Sequence, residues 1–139
     1  LKGLGKFWGL AGLRLGFAIA SPELIKTIIS HVGPWSISGP AQFIGKAAIS
    51  DNNWIHNTRI RLKKDSVRLD KLISSNNIKP IGGTDLFRLY KTTNAQKIQN
   101  KLAQNFIWSR VFPYSENWLR LGIPGDQSEW ERLAKALEE

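Results

Sequence analysis

The chain has 139 residues, 20 Lys+Arg against 11 Asp+Glu for a net charge of +9, 42% hydrophobic residues, and neither Cys nor Met. It is long enough for one compact domain with a core and too short for two large ones, and its apolar content argues against disorder. Without cysteine there is no disulfide framework, thiolate zinc cluster or thiol nucleophile, and the isolated histidines His31 and His56 do not make a metal site, so no metal is expected.

No apolar run approaches the roughly 18–20 residues of a membrane helix, because Arg14 interrupts Leu10–Ala20. No signal-peptide cleavage signature follows Lys2 and Lys6. The sequence therefore reads as a soluble, cytoplasmic protein without a membrane partner. It begins with Leu1 rather than Met, and its densest motif begins at Gly3, which suggests the tail of something longer.

Leu13, Leu15, Phe17 and Ile19 alternate with Arg14 and small residues, which predicts a strand with one closely packed face. Ser21, Pro22 and Glu23 then open a helix that runs to about His31 and stops at Gly33-Pro34. A short helix is expected from about Pro40. The longest one, about 52–76, has Ile55, Thr58, Leu62, Leu69, Leu72 and Ile73 on one stripe. Four strands follow at Ile78–Ile81, Leu86–Tyr90, Ile107–Phe112 and Trp118–Ile123, with Gly82-Gly83 turning between the first two. Between the strand pairs Asn94 caps a helix carrying Ala95, Ile98, Leu102 and Ala103. The last helix opens with a capping-box pattern at Asp126–Glu129 and places Trp130, Leu133, Ala134 and Leu137 at helical spacing. The order ββαββα after residue 78 favours α+β: an antiparallel sheet covered by helices on one face.

The chemistry concentrates in residues 3–16, Gly-Leu-Gly-Lys-Phe-Trp-Gly-Leu-Ala-Gly-Leu-Arg-Leu-Gly. Lys6 sits in a glycine-flanked loop among aromatic and apolar residues, where desolvation favours a free amine able to attack a carbonyl. Eight residues on, the Arg14 guanidinium suits a phosphate. A lysine and a phosphate-gripping arginine are what a pyridoxal phosphate site needs; the competing reading is a glycine-rich turn with solvated bases.

This segment resembles the lysine signature of class I/II aminotransferases, fold type I pyridoxal-phosphate enzymes. The segments GKFWGLAGLRLGFA (5–18), GPWSISGPA (33–41), GGTDLFRLY (82–90) and NWLRLGIPGDQSEWERLAKAL (117–137) resemble the C-terminal part of the threonine-phosphate decarboxylases, relatives of the histidinol-phosphate aminotransferases. The resemblance implies an α/β class overall. It makes 1–51 a remnant of the large cofactor-binding domain, 52–77 a connecting helix and 78–139 a small α+β domain.

It further implies that Lys6 is catalytic and joins pyridoxal 5'-phosphate, that Arg14 binds the cofactor phosphate, and that Arg120 and Arg110 bind the carboxylate and phosphate of a phosphorylated amino acid. In the intact enzyme, a homodimer, the implied reaction is decarboxylation of L-threonine O-3-phosphate in cobalamin biosynthesis. The alternatives are a histidinol-phosphate transaminase and an inactive truncated remnant. Residue periodicity supports Arg120 independently: Leu119, Leu121 and Ile123 share one face of a strand and leave Arg120 on the other. Gly3 stands where the family usually carries a serine, which removes one phosphate contact. The family's remaining cofactor contacts lie N-terminal to the lysine, so the isolated chain is expected to be a poor catalyst.

The bases Arg59, Arg61, Lys63, Lys64, Arg68 and Lys71 crowd the long helix beside Asp65 and Asp70. They raise a remote nucleic-acid reading, but a solvated helix face is the expectation and no nucleic-acid partner is assigned. Among the six tryptophans, Trp54, Trp108, Trp118 and Trp130 are expected in the core, whereas Trp8 and Trp35 are candidates for lining the site.

Overall fold

The computed structural model describes residues 1–76 and 78–138. The chain forms two compact units, Leu1–His56 and Asn57–Glu139. Asn77 and Glu139, which end two of the expected segments, lie outside the described residues.

In the first unit, β1 (Lys2–Gly3) pairs antiparallel with β2 (Gly16–Phe17), and helices α1 (Pro22–Val32) and α2 (Gly39–Ser50) follow. The sequence predicts a longer strand over 13–19. Instead Ala11–Leu13 forms a 3₁₀ turn and Arg14 follows at φ 54°, in the left-handed region that ends an extended run. The closely packed spot lies beside that strand: a Cβ on the buried Gly45 of α2 would strike Leu15, with Leu4 next to it. The first helix starts as its signal predicts, with Ser21 Oγ accepting from Leu24 N–H, and at the start of the second Ser38 Oγ accepts from Ala41 N–H. Asp51 ends α2 and accepts from Trp54 N–H at 2.9 Å, starting α3 (Asn52–Ser74).

The second unit holds most of α3, then β3 (Lys79–Gly83), β4 (Phe87–Lys91), α4 (Ala95–Gln104), β5 (Arg110–Phe112), β6 (Ser115–Gly122) and α5 (Gln127–Glu138). Its sheet runs β3-β4-β6-β5 with every neighbour antiparallel. One face is covered by the three helices: Tyr90, Leu119 and Leu121 meet Leu69 and Ile73 of α3, Leu102 of α4, and Trp130, Leu133 and Leu137 of α5. The α3 stripe is continuous because Ser66, absent from the hydrophobic pattern, is buried in line with Thr58, Leu62, Leu69 and Ile73. Its hydroxyl donates to Lys63 O and to Asp85 Oδ1.

Three expectations change. The strand read over 107–112 shortens to Arg110–Phe112 because Leu102 O accepts both Asn105 and Ile107 N–H, so the chain wraps the end of α4 through Phe106 at φ 58°. Gly82 and Gly83 belong to β3 rather than the turn, which closes between Thr84 and Phe87. Gly83 is required there: it adopts φ 125°, and a Cβ would strike Phe87 O. Finally, only Trp130 of the four tryptophans assigned to the core is buried; Trp54 and Trp118 are exposed, and Trp108 is 82% exposed.

Candidate functional site

The lysine loop is a tight excursion between β1 and β2. Leu4 N–H donates to Leu15 O, Leu10 N–H to Leu4 O, and Gly9 N–H to Lys6 O at 3.1 Å, with Gly9 at φ 69°. The aromatics of the loop fold onto neighbouring helices. Phe7 lies edge-on to Trp8 and Trp54, and the Trp8 indole N–H donates to Ala48 O at 3.1 Å. Leu4 is buried whereas Lys6 is exposed, so its own unit does not desolvate Lys6 as the sequence predicts.

Arg14 is likewise exposed, and among the described residues it has no ion-pair partner. Trp8 is half-buried and lines a shallow, mostly apolar depression of about 380 Å³ with Leu10, Ile44 and Trp54. Trp35 is 96% exposed at φ 61°.

In the second unit the two predicted substrate arginines stand together. Arg110 of β5 is the direct cross-strand partner of Arg120 of β6, on the sheet face opposite the buried Leu119 and Leu121. Like charges placed opposite each other destabilise a sheet unless something offsets them. Among the described residues neither arginine has a carboxylate partner. Each instead faces an aromatic ring: Arg120 lies 4.7 Å from the centroid of Phe87 and Arg110 5.6 Å from that of Phe112. Both line an open depression of about 650 Å³ with Phe87, Trp108, Ser109 and Gly122. Ser109 is buried, and among the described residues its Oγ has no hydrogen-bond partner. The sequence analysis singles out neither Phe87 nor Phe112 and places Trp108 in the core; the signal available for Phe87 was its place in the strand that pairs with β6.

The donor chemistry fits pyridoxal phosphate at its two ends, with an exposed primary amine at Lys6 for the aldehyde and, at Arg14, a guanidinium without an ion-pair partner among the described residues for the phosphate. The second unit supplies a paired-guanidinium surface suited to anions. The family model for aminotransferase class I and II matches residues 1–137. The chain belongs to that family.

Among its relatives, the threonine-phosphate decarboxylase of Pseudomonas aeruginosa is 36% identical over 137 residues, covering 99% of this chain and 41% of that protein. Histidinol-phosphate aminotransferase 1 of Legionella pneumophila (strain Paris) is 31% identical over 132 residues, covering 91% of this chain and 36% of that protein. The crystal structure of histidinol-phosphate aminotransferase from Sinorhizobium meliloti in complex with pyridoxal-5'-phosphate superposes with a TM-score of 0.80 at 19% identity, over 96% of this chain and 38% of that one. The chain thus spans about two-fifths of the length of the curated relatives it matches. Among the described residues no helix is long and apolar enough to cross a membrane.

Proposed function

We propose that this chain is the substrate-clamping part of a pyridoxal-phosphate enzyme that decarboxylates L-threonine O-3-phosphate to (R)-1-amino-2-propanol O-2-phosphate. The observation that carries the substrate-clamping reading is the Arg110–Arg120 cross-strand pair, which has no carboxylate partner among the described residues. Two adjacent guanidinium groups favour a substrate with two anionic groups, and threonine phosphate has a carboxylate and a phosphate. The pair by itself does not choose between this reaction and the transaminase alternative, since one phosphate dianion can also engage two guanidinium groups; the greater similarity to a threonine-phosphate decarboxylase, 36% identity against 31% to a histidinol-phosphate aminotransferase, is what favours decarboxylation.

When bound, pyridoxal phosphate supplies an electron sink conjugated to the substrate amine. The chain's own residues have separate tasks. The Lys6 amine would hold the cofactor at its aldehyde end and would carry the proton at the substrate α-carbon. Arg14 holds the cofactor phosphate through charge-assisted hydrogen bonds. Arg120 clamps the substrate carboxylate and Arg110 its phosphate. In the intact enzyme these tasks belong to a cytoplasmic homodimer.

The first experiment is to add pyridoxal phosphate to the 139-residue chain, reduce with borohydride, digest, and locate the label by mass spectrometry. Selective labelling of the peptide containing Lys6 supports the assignment; scattered labelling over many lysines overturns it for this chain. For the reaction, O-phospho-L-threonine is supplied to the enzyme that contains this segment. Carbon dioxide is the expected product, and a keto acid in its place would sink the decarboxylase reading.

A further inference from the structure

Phe87 is the first residue of β4, directly opposite Gly122 of β6, while Leu89, two residues on, is opposite Arg120. Phe87 and Arg120 are therefore diagonal neighbours on one sheet face, a separation that a large ring can bridge. Gly122 contributes no side chain, and the space where its Cβ would stand is open, so nothing holds the Phe87 ring off the diagonal. The Arg120 guanidinium carbon lies 4.7 Å from the ring centroid. Arg110 stands across the strand on the other side of Arg120.

We infer that Phe87 is a positioning residue for the arginine clamp. Its negative π face attracts the Arg120 cation, offsets the repulsion from Arg110, and limits the rotation of the guanidinium so that its donors are set for a carboxylate before the substrate arrives. Phe87 makes no contact with reacting atoms in this role; it acts through Arg120. The inference rests on the reading of Arg110 and Arg120 as an anion site.

The test titrates O-phospho-L-threonine into the 139-residue chain while following the Arg120 side-chain Nε–Hε resonance by NMR. Four proteins are compared: wild type, Phe87→Tyr, Phe87→Leu and Arg120→Gln, the last followed through the Arg110 resonance. A Phe87→Met protein replaces Phe87→Leu if the latter fails to fold, because it keeps apolar bulk without a π face. The free wild type is expected to show a ring-current shift and restricted motion at Arg120, preserved in Phe87→Tyr and lost in Phe87→Leu. Binding should weaken roughly three- to tenfold in Phe87→Leu, stay within about twofold in Phe87→Tyr, and be lost in Arg120→Gln.

If Arg120→Gln loses binding while Phe87→Leu binds like wild type, the inference fails and the anion site stands. If wild type does not bind, or Arg120→Gln binds equally well, the anion-site reading fails and takes the inference with it. An unshifted, freely rotating Arg120 in wild type overturns the inference without any variant.

Discussion

Asp70 of α3 and Arg88 of β4 are joined by two parallel hydrogen bonds, from Nε to Oδ1 at 3.1 Å and from Nη2 to Oδ2 at 2.6 Å. Tyr90, fully buried two residues further along β4, donates its hydroxyl to the same Oδ1 at 2.9 Å. This carboxylate ties the long helix to the second strand of the sheet. Removing it leaves a guanidinium and a phenol unpaired beside the core, a larger loss than the pair's own net contribution. Asp70→Ala should lower stability by about 2–3 kcal/mol, less than for a fully enclosed pair because both side chains keep some contact with water. Tyr90→Phe should cost only about 1 kcal/mol. Urea denaturation midpoints of the two variants check both the order and the size.

The same cluster sets an alkaline limit. Burial raises the Tyr90 pKa above its ordinary 10.0, and the hydrogen bond to Asp70 raises it further. The native state then holds a proton that the unfolded chain releases. This contribution to stability is fully present below about pH 10 and declines as pH rises above it. Stability should therefore fall steeply above pH 10 in the wild type and less steeply in Tyr90→Phe. Equal slopes, measured by denaturant titration at several alkaline pH values, would count against the assignment.

The sequence made legible whatever local periodicity encodes. Residues 119 to 121 announced their faces, and Leu119 and Leu121 are buried with Arg120 on the other side. Ser21, Asn94 and Asp126 announced helix starts or the turns before them. Pairings between distant residues were not legible, because register is decided by the whole sheet. Nothing local in Arg110 says that it will face Arg120, and nothing in Phe87 says that its partner will be a glycine. Tryptophan placement failed for a related reason: a large ring packs in a core only where the fold brings a second surface to it. Trp108 follows the end of α4 onto an open rim, whereas Trp130 meets Arg68, 4.2 Å from its ring centroid, and the sheet core.

The start of α5 departs from a simple capping box. Asp126 Oδ1 accepts from Glu129 N–H at 3.0 Å and from Ser128 Oγ at 2.7 Å, but Glu129 reaches back to Gly125 N–H at 2.6 Å rather than to Asp126. Those hydrogen bonds, the one from the Glu129 backbone first, lower the Asp126 pKa below its ordinary 3.8. The ionised cap therefore stabilises α5 at neutral pH, and that contribution is lost as pH falls below about 4 through the lowered folded value. Asp126→Ala should reduce thermal stability at pH 7 and remove this part of the acid sensitivity. Asp126→Ser should recover most of the neutral-pH loss, since a hydroxyl serves the same N–H. Thermal melts at pH 7 and pH 3 compare the three proteins.

In the first unit, stability hinges on Gly45 meeting Leu15. Alanine is favoured over glycine inside a helix by about 0.8–1.0 kcal/mol, so Gly45→Ala gains helix propensity. The new methyl, however, strikes the Leu15 side chain, and overpacking costs about 1–3 kcal/mol. Leu15 is only half-buried and the atom struck, its Cδ2, is the far end of a flexible side chain, which places the cost near the lower end of that range. The two effects oppose each other, and the clash should win narrowly: Gly45→Ala should weaken the unit in the native background. In a Leu15→Ala background the clash is gone, so the same substitution should strengthen it. Hydrogen exchange at the Leu4 N–H, which donates to Leu15 O, reports the unit directly. A change of sign between the two backgrounds is expected, and the same sign in both would show that Leu15 does not pack on Gly45.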